Sequence, residues 1–143
     1  MGWFDKWFGS APRAPSAFEG LVQQFDAFAG LAMRAIPADS YARHPRKQRN
    51  TIAFHFGAAD HLAGQAGLGE TETLALYVRF LQKYPVLTAP ESGSVTRLIE
   101  EFSRDDERKR YVQEGREAMQ LWQLQGSEDA PKRLSEMLRL MQG

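Results

Sequence analysis

Apolar residues recur along most of this chain at spacings of three and four, the signature of helices that bury one face. The first run is Phe18, Leu21, Val22, Phe25, Ala29, Ala32, Met33 and Ile36. Ser16 and Glu19 have the spacing of a capping box and Pro37 supplies a stop, so the pattern predicts a helix over 16–36. Residues 37–50 are polar, carry Pro37 and Pro45, and read as irregular. Asn50 is placed to cap a helix reaching about residue 65. Ile52, Phe56, Ala59 and Ala63 line one of its faces, and Phe54, Ala58 and His61 another. Two covered faces predict a central helix, and the Ala- and Gly-rich stretch 57–69 either admits a neighbour at close approach or frays into a loop.

Beyond it, Leu74, Leu76, Tyr77, Val78, Phe80 and Leu81 cover over half the circumference of a helix from Glu70 to Tyr84, which Pro85 ends. Thr88 and Glu91 repeat the capping-box spacing ahead of Val95, Leu98, Ile99 and Phe102. Ser103 is the expected cap of a long helix to Gln125, with Asp105, Asp106 and Glu107 at its positive end. Tyr111, Gly115, Ala118, Met119 and Trp122 form its facing stripe. Ser127 then caps a last helix with Leu134, Met137, Leu138 and Met141 inward. Strand-type alternation is missing, and no residue pattern recurs at a fixed period. The expected fold is all-α, a compact bundle or array of about six amphipathic helices with antiparallel neighbours across short loops.

Ahead of this body stands a different pattern. Trp3, Phe4, Trp7 and Phe8 crowd the first nine residues and, in a helix, fall within an arc of roughly 140°. Residues 1–9 therefore read as an aromatic amphipathic segment, 10–15 as a Pro/Ala linker, and 16–143 as one helical domain. That aromatic face must be covered by the body of the protein, by a partner or by lipid.

Composition narrows the classes. Charged residues make up 25% and apolar residues 43%, globular values that argue against wholesale disorder. Eighteen basic residues balance eighteen acidic ones, which argues against a general nucleic-acid binder. The absence of cysteine removes disulfides and thiolate metal sites and fits a reducing compartment. No apolar run is long enough to span a bilayer, and the N-terminus lacks the basic start and unbroken apolar core of a secretory signal. Lys6 breaks the myristoylation pattern that Gly2 would open. A cytoplasmic protein, with the aromatic segment able to hold it at a membrane surface, is the expected setting.

Candidate chemistry is sparse. His55 and His61 point about 120° apart on a straight helix and are not the i, i+4 pair of zinc helices. Dense carboxylates at 100–101 and 105–107 diverge around their helices, and no phosphate loop or nucleophile elbow occurs. No catalytic residue, metal or cofactor is assigned. The expected role is a small non-enzymatic interaction protein: an adaptor, a chaperone-like or a regulatory module binding another protein or itself. Its contact residues are Trp3, Phe4, Trp7 and Phe8 as apolar anchors, with Arg43, Arg46, Lys47 and Arg49 facing an acidic surface. Two alternatives stand beside it. One is a peripheral membrane protein docked through residues 1–9. The other is a ligand-binding or enzymatic bundle with a polar pocket at His55, Asp60, His61, Tyr77 and Glu100.

Overall fold

A computed structural model describes residues 13–87 and 95–141. The aromatic segment 1–9 and the expected cap at Thr88 and Glu91 lie outside those residues. The described residues hold seven α-helices and one short 3-10 turn, joined by short loops, and no strand.

Helix α1 spans Arg13–Arg34, starting ahead of the expected Ser16. Pro15 is no obstacle there, because a first-turn residue has no intrahelical partner for its N–H. A one-turn helix, α2, follows at Ala38–Tyr41 inside the stretch read as irregular. It buries Tyr41.

Helix α3, Pro45–Gln65, is the axis of the molecule. It begins at Pro45 rather than at Asn50, since proline's fixed φ and missing N–H suit the first helical position. Asn50 is thereby moved from cap to interior: it is fully buried and donates from Nδ2 to Glu107 Oε2 at 3.0 Å. Every residue from Asn50 to Ala59 is buried, so the expected central helix is present and covered on all sides.

Helix α4, Glu70–Lys83, leads through the 3-10 turn Pro85–Leu87, and α5 covers Val95–Ser103. Helix α6 runs Asp106–Gln125 and α7 Asp129–Leu140. The cap of α6 is Asp105, not Ser103: its Oδ1 accepts from the N–H groups of Glu107 at 2.9 Å and Arg108 at 3.2 Å. A carboxylate there also meets the positive helix end, which a serine cannot do. Ser103 instead closes α5, donating to the Glu100 carbonyl at 2.7 Å. Ser127 Oγ accepts from the Asp129 N–H at 3.3 Å at the start of α7.

The buried residues form one cluster around α3. Phe25 and Phe28 of α1, Phe54 of α3 and Phe80 of α4 pack edge to face or stacked around His55, with centroid separations from 4.2 to 6.4 Å. Asp26 ties α1 to α4 by ion pairs to Arg79 at 3.0 Å and Lys83 at 3.8 Å. Ser135 Oγ donates to the Ala35 carbonyl at 3.0 Å and joins α7 to the end of α1.

The main helix contact is between α3 and α6, which are not consecutive. Residue pairs rise together along both helices, from Arg46–Glu107 to Asp60–Arg116, so the two run in the same direction. Between these pairs the backbones touch. A Cβ on Gly57 would overlap the Val112 carbonyl oxygen, and one on Gly115 would overlap that of Phe54. The short-loop expectation of antiparallel neighbours does not describe this contact, because α4 and α5 carry the chain back before α6 begins.

Candidate functional site: an open groove beside the glycine crossing

Next to the glycine contact the helices part. Phe56 and Asp60 of α3, Tyr77 of α4, Ile99 and Phe102 of α5, and Val112 and Arg116 of α6 line a groove of about 440 Å³. Ser103, Lys109 and Gln113 complete its rim. The α6 contribution follows from helix geometry: residues 109, 112, 113 and 116 lie at i, i+3, i+4 and i+7, hence on one face.

The floor is aromatic. Phe56 and Tyr77 stack with centroids 4.0 Å apart and planes 10° from parallel, and Phe102 lies 5.7 Å from Phe56 at a tilt. Across the mouth, Arg116 Nη2 meets Asp60 Oδ2 at 2.6 Å. Burial raises the Tyr77 phenol far above its ordinary value, and the Asp60 carboxylate pushes it further the same way. Tyr77 therefore stays neutral through the physiological range and can offer its hydroxyl as a donor, not as a base. Phe56, Tyr77 and Phe102 are themselves buried, so the apolar surface the groove offers comes mainly from half-buried Ile99 and Val112 beside those rings, edged by polar side chains with the Asp60–Arg116 pair already joined.

Of the five residues expected to make a polar pocket, the fold brings Asp60 and Tyr77 to this groove. The other three go elsewhere. Glu100 is exposed and pairs with Arg104 at 2.9 Å. His61 is half-buried, with Nε2 unpartnered among the described residues. His55 lies at the centre of the core, stacked on Phe80 at 4.2 Å. Its Nδ1 donates to the Thr51 carbonyl at 2.9 Å, while Nε2 has no partner among the described residues. Burial lowers its pKa to about 4 against the weaker opposing pull of that hydrogen bond. Among the described residues no three histidine or carboxylate side chains gather as a metal site, and no helix is long and apolar enough to cross a membrane.

The basic run is divided by the fold. Arg46 forks onto Glu107, with Nε to Oε2 at 2.9 Å and Nη2 to Oε1 at 2.5 Å. Arg49 pairs with Glu101 at 3.1 Å. Both cations thus hold α3 to α6 and α5, while Arg43 is exposed and Lys47 half-buried. The Arg46 fork, helped by Asn50 and by the Arg108 charge, outweighs burial and holds the Glu107 carboxyl near 2.

Phe56 and Phe102 are buried in the core as their helical spacing predicts, with Ile99 packed against it, while Lys109, Val112, Gln113 and Arg116 are groove residues that no sequence expectation marks. The available signal was Val112: an apolar residue beside the Tyr111 stripe gives α6 a second, partly apolar edge. No family model, curated protein or solved structure matches the chain.

Proposed function

We propose that the chain is a non-enzymatic protein-interaction module whose groove receives the apolar face of an amphipathic helix from a partner protein. The observation that carries this reading is an open groove of about 440 Å³ in which half-buried Ile99 and Val112 adjoin the buried rings of Phe56, Tyr77 and Phe102. Helix-in-groove recognition inserts side chains at i, i+3 or i+4 and i+7 into such a cleft, with polar residues along its edges. Lys109, Gln113 and the Asp60–Arg116 pair supply those edges and set orientation more than affinity. The aromatic residues Trp3, Phe4, Trp7 and Phe8 add a second apolar contact to the same partner in this scheme. Arg43 remains available for a charged rim contact.

The test is a photo-crosslinking residue at Ser103, on the groove rim, compared with one at Gln82 on the exposed face of α4. In cells expressing the chain, a discrete protein adduct at Ser103 and none at Gln82 is the expected result. Equal adducts at both positions, or none at Ser103, would refute the groove as a docking site.

A further inference from the structure

A second cavity, of about 250 Å³, lies where the end of α1, the one-turn α2, the first turn of α3 and the last turns of α7 meet. Its polar lining is Ser40, Lys47, Ser135 and Arg139, and its apolar wall includes Ile36 and Leu138. No carboxylate lines it.

The donors differ in how far they are already committed. Lys47 makes no ion pair among the described residues, unlike its neighbours Arg46 and Arg49. The Ser40 hydroxyl oxygen is buried and has no partner among the described residues, a state that costs free energy until something supplies one. Arg139 is steadied by Glu136 through Nε at 3.3 Å and Nη2 at 2.8 Å, which leaves Nη1 outside that pair. Ser135 is different: its proton goes to the Ala35 carbonyl, so it positions α7 rather than donating into the cavity. Three side chains able to donate, Ser40, Lys47 and Arg139, thus line one space with no carboxylate among its lining residues. The cavity's lining carries two cations, Lys47 and Arg139, of which Arg139 is already paired with Glu136.

From this we infer that the cavity binds a phosphate group, with Ile36 and Leu138 accommodating the carbon-bearing side of a small phosphomonoester. A phosphate's oxygens can accept from an ammonium, a guanidinium and a hydroxyl together, and its charge near neutrality approaches −2. A carboxylate offers fewer acceptor directions and half that charge. The site is independent of the groove and does not rest on the partner-docking reading.

The experiment uses the full chain, labelled with nitrogen-15 and titrated with inorganic phosphate against chloride at constant ionic strength. Saturable amide shifts confined to residues around Ser40, Lys47 and 135–139 are the expected outcome. Lys47→Gln should weaken the fitted affinity by about tenfold, the loss of one charge-assisted hydrogen bond. Arg139→Gln, on an exposed side chain, should act in the same direction and serves if Lys47→Gln disturbs the fold. Shifts that never saturate, equal saturation by acetate, or affinities unchanged in both variants would overturn the assignment.

Discussion

Along one pair of helices, α3 and α6, the same two backbones are sealed at one point and parted at the next. At Gly57 and Gly115 there is no side chain on either helix, and each glycine lies against the other helix's backbone. At Phe56, Asp60, Val112 and Arg116 the side chains are large, the gap is filled only in part, and a groove opens. Side-chain volume at single positions therefore decides where two buried helices close and where they leave a surface. Close backbone approach fixes the crossing, and the groove is what the bulky neighbours must then do around it.

Breaking the sealed side should have the largest effect. Gly115→Ala forces a methyl group onto the Phe54 carbonyl and should cost about 3 kcal/mol or more, read by denaturant unfolding. Gly57→Ala should do the same through Val112, and a loss under about 1 kcal/mol in both would show that the helices separate freely.

The core beside that contact supplies the next effect, through pH. His55 has its pKa lowered to about 4, so the unfolded chain takes up a proton below about pH 6.5 while the folded chain does not. Stability should then fall as pH drops from 6.5 towards 4, by up to about 3 kcal/mol, and level off below that. His55→Leu should flatten this window in urea titrations at a series of pH values. An unchanged slope would move the acid sensitivity to another group.

Glu107, at the start of the same helix pair, acts lower on the pH scale. Its carboxyl is held near 2, so it stabilises the fold fully above about pH 4.5 and loses that contribution as pH falls from 4.5 towards 2. Because Arg46 is half exposed, solvent screening reduces the benefit, and Glu107→Gln should cost about 1–2 kcal/mol at pH 7. Chemical denaturation with and without added salt measures it.

The smallest effect sharpens the contrast between glycines of one helix. Gly64, on the same α3 as Gly57, has nothing within reach of a Cβ. Gly64→Ala should stabilise the protein by about 0.5–1 kcal/mol, from helix propensity and a less flexible unfolded chain. A calorimetric Tm rise for Gly64→Ala beside a fall for Gly57→Ala would place the constraint in packing and not in glycine content.

These contrasts also show what could be read from the chain. Helix faces were legible because Phe25, Phe54, Phe80 and Leu134 sit at helical spacings and are buried as that spacing requires. The small residues at 57–69 were compatible with close approach or with a loop, and the structure has both, a backbone contact at Gly57 and a helix end at Gln65. Helix starts were less so: Asn50 and Ser103 have good capping chemistry, yet Pro45 and Asp105 win by backbone geometry and charge. The groove was not legible at all as a unit. Its residues come from four helices, and only the parallel pairing of α3 with α6, set by contacts distant in sequence, brings Phe56, Tyr77, Phe102 and Val112 to one place. Arg46 shows the same limit, since its fork to Glu107 spans sixty-one positions and no local pattern announces it.

The most direct measurement of the groove's role is the Ser103 crosslinking experiment repeated in a Gln113→Trp background, with Tm recorded alongside. Gln113 is exposed on the rim, so an indole placed there is expected to fill the groove from its edge and leave the core intact. If a partner helix occupies the groove, the adduct should disappear while the Tm stays within a few degrees of the parent. An adduct that persists in a variant with the parent's Tm would contradict docking in the groove.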